Sequence, residues 1–533
     1  SLRFVLSMAL PLAAIGLGSL ACDAPESEPM GLSLRFAQLY QALTAEDGLP
    51  AEVQSIQVQV RRFTGDGAVV ADSGCVDVSG DAKERLHFQM DLEPEVVRVE
   101  VAGYGDAACA LNADWFGATG QVVISEGEES AIAIYVTRRG LHLNPIRTQL
   151  TQGRAFATAT ALADGRVLVV GGFSSLDQAA AGQAAVLHAA CHARIYDPGT
   201  AEFSGGFIPL NHCRGLHQAM RMADGSVWIV GGASQATLDP FGATRPILRP
   251  SSQDLVASIE RFDPQRQQFE VLVSDARLER AQIAAAPNGQ GGLLAFGGRT
   301  TELRSRGLLG VSQVGDLRAL SSVGEGLVEA RAGAGVVEVA DGWLVAGGQA
   351  PGGAFLEVVS AEDMQSQALD PVLDGDDWSL VGHTLTAFMS EADGPMAFLA
   401  GGMNASPAAE AMDKALLLDA SHSSMLTIYQ VQLLQARAYH ATFAVDSTES
   451  GGASGLVLAG GLGLEGRGLH DLELQFESGI SMQGQVLEDE LSTGSLGIAS
   501  AALPDGSVLL VGGADVDESG VISLPAEAQL LSP

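Results

Sequence analysis

Residues 163–172 read ADGRVLVVGG, and this stretch decides the fold. Asp164-Gly165 is a dipeptide that accepts the positive φ of a type I′ hairpin turn. The four apolar residues Val167 to Val170 suit a short strand, and Gly171-Gly172 ends it. The same pattern returns as VWIVGG at Gly231-Gly232, LLAFGG at Gly297-Gly298 and WLVAGG at Gly347-Gly348. It returns again as AFLAGG at Gly401-Gly402, LVLAGG at Gly460-Gly461 and VLLVGG at Gly512-Gly513. Successive glycine pairs are 60, 66, 50, 54, 59 and 52 residues apart, so the region from 140 onward is a repeat array. Turn dipeptides precede most copies, at Asp224-Gly225, Asn288-Gly289, Asp341-Gly342, Asp393-Gly394 and Asp505-Gly506, and the sixth copy has a Ser/Gly loop between Asp446 and Gly455 instead.

A third strand follows the glycines in several copies: ARIYDP ending at Pro198, SIERFDP at Pro264, ALLLDA at Ala420, LELQF at Phe476 and AEAQLLSP at Pro533. The string Arg-x-x-His/Ala, hairpin, hydrophobic-Gly-Gly and Tyr/Phe-Asp-Pro resembles the kelch repeat, over about three quarters of the chain. That resemblance implies an all-β fold, a seven-bladed kelch-like β-propeller with four strands per blade. Six blades is the alternative, because the third copy is the least regular. The seventh copy stops after its third strand, and Leu141 to Leu150 is expected to supply the missing outer strand and remove an open edge.

Within such blades the Asp-Gly turns share one face, and the segments after the glycine pairs share the other. The long insertions Phe173 to Ala190 and Ala233 to Val256 both follow glycine pairs, so that face is elaborated and is the expected ligand-binding face. On it Arg154, Arg214, Arg280, Arg331 and Arg437 recur at the start of the inner strand. They are candidates for a guanidinium ring that grips a carboxylated or sulfated glycan, against the plainer role of pairing with carboxylates or carbonyls of a neighbouring blade. Tyr439-His440 resembles the copper-ligating Tyr-His pair of the galactose oxidase family, and His217 holds a matching position in another blade. That site needs a second Tyr crosslinked to a Cys, and no inner-strand Tyr has a cysteine left free for it once Cys191 and Cys213 pair, so copper is not expected; no cofactor is expected, with calcium the one metal kept open. Asp374, Asp376 and Asp377 suggest calcium, but without the ligand spacing of an EF-hand loop they read as a solvated acidic loop.

Ahead of the repeats, period-two runs (Ile56, Val58, Val60; Val97, Val99, Val101; Ile132, Ile134, Val136) predict a β-sandwich over 32–139, immunoglobulin-like or prealbumin-like. Residues 1–21 read as a secretory signal: Arg3, an apolar run through Leu17, then Gly18-Ser19-Leu20-Ala21. Cys22 resembles the lipidated cysteine of bacterial lipoproteins, and 22–31 is an acidic tether containing prolines. In an oxidising compartment Cys75 pairs with Cys109 and Cys191 with Cys213, which leaves Cys22 for a lipid. Simple secretion with an unpaired Cys22 is the alternative.

Sixty-four acids against 29 bases give a net charge of −35, which repels nucleic acid and anionic lipid heads. No HExxH, Gly-x-Ser-x-Gly, Walker loop or CxxC motif occurs. The expected function is therefore a non-catalytic envelope or cell-surface lipoprotein that binds a protein or glycan. A copper-dependent carbohydrate or alcohol oxidase is the alternative.

Overall fold

The computed structural model describes residues 30–38, 49–63, 67–79, 85–90, 92, 95–124, 130–241, 247–301, 305, 307–314, 317–349, 355–369, 378, 380–390, 394–404, 410–420, 427–445, 455–478 and 481–532. The signal, Cys22 and most of the tether lie outside these residues, as do Asp374, Asp376, Asp377, Asp393 and the loop from Asp446 to residue 454.

Turn chemistry builds the repeat. Leu162 N–H donates to the Arg166 carbonyl and Gly165 N–H to that of Leu162, which folds Thr158–Ala161 back on Val167–Val170. Only Gly165 in this turn has positive φ, at 86°. A type I′ turn needs positive φ at both central residues, so the expected type is corrected to a type I turn with a glycine bulge. The Asp224 and Asp505 turns repeat the same backbone bonds, and in all three the aspartate Oδ1 accepts the N–H two residues on.

In each copy the apolar run is a second strand, held between the first strand and a third one. Val167–Val170, for example, lies between Thr158–Ala161 and His192–Asp197. Among the described residues seven antiparallel sheets of this kind begin with Thr158–Ala161, Gln218–Arg221, Ala284–Pro287, Ala332–Val339, Thr384–Ser390, Ala441–Val445 and Ala499–Ala502. Six have four strands; the first has a fifth because its outer edge is split into Glu202–Phe203 and Ile208–Pro209. In the seventh the fourth strand is His142–Pro145, antiparallel to Ala528–Ser532, with Leu143 opposite Leu531.

The reason the second strands are unbroken apolar runs is that both of their faces are covered. Val167 and Val169 pack with Leu509, Val511 and Leu530 of the seventh sheet, while Leu168 and Val170 pack with Val227, Ile229 and Phe262 of the second. Five further clusters fill the other sheet-to-sheet junctions. First strands touch the first strands of the neighbouring sheets in cyclic order, and Thr158–Ala161 also touches Ala499–Ala502.

The glycine pairs fasten each sheet to the next. The second glycine donates its N–H to a carbonyl at the start of the following sheet: Gly172 to Arg214 at 2.9 Å, Gly232 to Arg280 at 2.8 Å, Gly402 to Arg437 at 2.8 Å and Gly513 to Arg154 at 2.6 Å. At Gly512, φ is +67° and a Cβ would lie 2.0 Å from the Arg154 carbonyl oxygen. Gly512→Ala is expected to destabilise the protein by at least about 1–3 kcal/mol, the cost of left-handed backbone alone. Chemical denaturation checks this, and an unchanged midpoint would contradict it.

The two insertions do not form free loops, as their length suggested. Phe173–Gln178, Ala185–Ala189, Gln235–Leu238 and Leu248–Pro250 pair in that order as one antiparallel sheet. Its apolar face, with Leu187, Leu238 and Leu248, packs over the sheet ends beside Phe173, Met403 and Ile522. The Cys191–Cys213 disulfide, Cα atoms 4.0 Å apart, ties the end of the first insertion to the start of the second sheet.

Residues 30–138 form a separate eight-stranded assembly with one continuous hydrogen-bond order. Ser130–Arg138 pairs antiparallel with Trp115–Ala118 on one side and parallel with Met30–Gln38 on the other, which joins its two halves. Val58, Val60, Val99, Val101, Ile132 and Ile134 fill its core, and Cys75 is joined to Cys109 at a Cα distance of 5.8 Å. It abuts the turn end of the first and seventh sheets, where Arg98 donates to the Pro504 carbonyl at 2.8 Å and Gly120 lies against Asp164. Both disulfides are of the kind that persists in an oxidising, extracytoplasmic compartment. No helix among the described residues is long and apolar enough to cross a membrane.

Candidate binding cavity

The five arginines are 0–6% exposed and do not form a gripping ring at a mouth. Each turns its Nη1 back to the carbonyl of the first glycine in its own sheet: Arg154 to Gly171, Arg214 to Gly231, Arg280 to Gly297, Arg331 to Gly347 and Arg437 to Gly460, at 2.8–3.1 Å. Arg214 also pairs with Glu260 at 2.7 Å, Arg331 with Glu357, and Arg437 with Glu473 and Asp471. The partners are thus within the same sheet, not in the neighbour as the sequence suggested. A guanidinium cannot rotate to a ligand without leaving a buried carboxylate or carbonyl unpaired. Burial pushes Arg154 and Arg280 down to about 10.

Two residues after each arginine position the backbone turns left-handed. Phe156, Leu216, Gln282 and Tyr439 have φ of 56°, 57°, 53° and 58°, and Gly333, Gly382 and Gly497 of 73°, 69° and 64°. Among the described residues six backbone bonds link these seven positions, one per sheet, with Gly333 and Gly382 not linked to each other: Leu216 N–H to Phe156 O, Gln282 to Leu216, Gly333 to Gln282, Tyr439 to Gly382, Gly497 to Tyr439 and Phe156 to Gly497. The last of these joins the first sheet to the seventh. Bulky side chains lie over small neighbours, since a Cβ on Gly497 would strike the Phe156 ring and one on Gly382 the Tyr439 ring. The two rings meet edge to face, 6.1 Å apart.

The next residue is histidine in three sheets. His217 Nε2 lies 2.9 Å from Thr158 Oγ1 of the preceding sheet, and His440 Nε2 lies 3.1 Å from Thr384 Oγ1 of its own preceding sheet. His383, which the sequence reading missed, packs against Gly347. Its signal was present in the run VGH at 381–383, parallel to RGLH and RAYH, but the fifth copy lacks the arginine that marks the position. His217 and His440 each fasten a different sheet junction through Nε2, and the Tyr439 ring is packed on Gly382 and Phe156, so these residues do not form a copper-ligand set, although all three border one space.

Burial holds His217 down to about 3 and His383 to about 4, and keeps His440 well below the usual range. Their folded pKa values lie below the unfolded value, so the unfolded chain takes up protons first. The stability these neutral imidazoles carry is whole above pH ~6.5 and falls as pH drops below it, down to about 3 for His217 and about 4 for His383, by about 1.4 kcal/mol per pH unit for each group within its window. His217→Gln, which keeps a donor near Thr158, is expected to flatten the pH dependence of urea midpoints between pH 6.5 and 4 relative to the parent. Parallel curves would contradict the assignment.

Between the first strands are two adjoining spaces of about 290 and 430 Å³. They share Gln218, Ala334, His383, His440 and Ile498. All seven sheets line the first space; Thr384, Thr386, Thr442 and Ser500 line the second.

No family model and no curated protein matches this chain. The solved structure of YjhT is similar over 63% of this chain and 98% of its own, with 14% identity and a TM-score of 0.41. The observations define an all-β protein made of repeated four-stranded antiparallel sheets, with two disulfides.

Proposed function

We propose that the protein is an exported lipoprotein of a bacterial envelope or cell surface, anchored through Cys22, that binds a protein or glycan without catalysis. In this reading residues 32–139 are a β-sandwich spacer and the seven sheets are the blades of a kelch-type β-propeller, closed by His142–Pro145. Support for the propeller comes from the cyclic order of first-strand contacts and from the backbone bonds that run from one sheet to the next.

The insertion sheet carries the functional part of the proposal. Its two hairpins come from different repeats, yet they pair strand to strand through Ala185–Ala189 and Gln235–Leu238. The Gln178 side chain links the first to residues 520 and 522, and a disulfide holds its base. A fixed surface of this kind loses little conformational entropy on binding. Its outer side presents Val186, 39% exposed, with the His188–Asp177 pair at 2.9 Å and the Arg249–Asp239 pair at 3.6 Å.

Glycan arrays and crosslinking in cells, read on the parent and on Val186→Asp and Arg249→Glu, test this. Expected is a ligand lost in both variants with thermal midpoints unchanged. Stoichiometric copper in the purified protein, with peroxide release on sugars or alcohols, would overturn the non-catalytic reading.

A further inference from the structure

The geometry points to a second site, in the cavity enclosed by the seven first strands, that takes a small neutral polyhydroxylated ligand such as a monosaccharide or polyol. It is independent of the insertion sheet as a docking surface.

The lining decides the ligand class. Around the two spaces it consists of hydroxyl, amide, imidazole and apolar groups, and no Asp, Glu, Lys or Arg side chain borders either one. A charged ligand would lose its hydration there without gaining a counter-charge. A polyol would exchange water for many neutral hydrogen bonds and lay its C–H faces on Ile498, Leu385 and the Phe156 ring. The imidazoles stay neutral through the physiological range, so the lining does not change its charge with ordinary shifts in pH.

Hydrogen-bonding capacity is also left over. The His217 and His440 side chains border the cavity, but their Nδ1 atoms, without a partner among the described residues, are buried and do not reach it, so the free capacity lies with other groups. Both residues are about 95% buried, with 4% and 5% exposure. Gln218 borders both spaces, and Ser500 the second, and neither side chain bonds to another described residue.

Shape agrees with the lining. Each volume lies near the lower end of the roughly 300–1,000 Å³ usual for small-ligand sites. One end is lined by the seven left-handed positions and by Leu248 of the insertion sheet, which is fully buried. Toward the turn end the first strands become exposed, at Pro287, Glu338, Ala444 and Ala502. A ligand would enter there, on the side opposite the insertion sheet.

Ligand-observed NMR and calorimetry on the full mature protein test the site with matched neutral and acidic probes: galactose and galacturonate, glucose and glucuronate, and N-acetylglucosamine and N-acetylmuramic acid. Expected is binding of at least one neutral probe, with its acidic counterpart at least about tenfold weaker, as loss of charge hydration implies. Gln218→Ala and Ser500→Ala, which break no bond within the fold, should each weaken it about 3–10-fold. Val186→Asp should leave it unchanged, which separates this site from the insertion-sheet surface. No binding by any neutral probe, equal binding of the acidic partner, or full binding in the Gln218→Ala/Ser500→Ala double variant would overturn the proposal.

Discussion

Arg214→Ala is expected to cost about 3–5 kcal/mol, the loss that follows when one partner of a buried ion pair is removed. Both partners are fully buried, and the Glu260 carboxylate accepts from Arg214, from the backbone N–H of Asn211 and His212, and from Asn211 Nδ2. Burial works against ionisation of Glu260, but Arg214 and the Asn211 bonds outweigh it and hold its pKa below the usual value. Without the guanidinium a charge stays in the sheet interior, and the carbonyls of Gly231 and Ser258 lose their donor. The Arg214→Ala/Glu260→Gln double variant should recover part of the loss, since the orphaned charge is gone. Urea denaturation of the three variants measures the coupling. If Arg214→Ala instead folded with parental stability and lost only a ligand, the arginines would be binding residues after all.

The second large effect concerns closure of the seventh sheet. Replacing residues 141–150 with Gly and Ser at constant length keeps the connection to residues 30–138 but strips the outer strand of its side chains. Ile146 and Leu150 are each 5% exposed, and burying such side chains is worth about 1.5–3 kcal/mol apiece. Also lost are the side-chain bonds of Gln149 to Ala528, and a Gly/Ser segment keeps its backbone pairing with Ala528–Ser532 only weakly, which leaves that strand prone to become an open edge. The sum is a large part of the roughly 5–15 kcal/mol that holds an ordinary domain together. The thermal transition should move down by many degrees or lose cooperativity, with aggregation through the new edge. An unchanged midpoint would refute a structural role for this strand.

The repeat was legible because each second strand is buried on both faces, which leaves an unbroken apolar run such as Val167 to Val170 before the glycines. The turn type was not, because Asp-Gly alone does not say whether the loop has two residues or three; the bond from Leu162 N–H to Arg166 O settles it. The insertions read as loops because Gly182 and many alanines dilute their strand pattern, and their pairing joins segments about 50 residues apart. The arginines were found by position, but their direction depends on carbonyls that no side-chain pattern records. Least legible were the left-handed positions, since Phe156, Leu216, Gln282 and Tyr439 carry no local preference for positive φ and are held there by bonds between sheets.

The proposed closure of the seven sheets into a ring underlies both the stability argument and the cavity. Hydrogen exchange read at the amides of Phe156 and Gly513, which join the first sheet to the seventh, tests it most directly. The account predicts that they exchange as slowly as those of Gln282 and Gly232, which join sheets adjacent in sequence. Rapid exchange at Phe156 and Gly513 with protection kept at Gln282 and Gly232 would show an open array and contradict it.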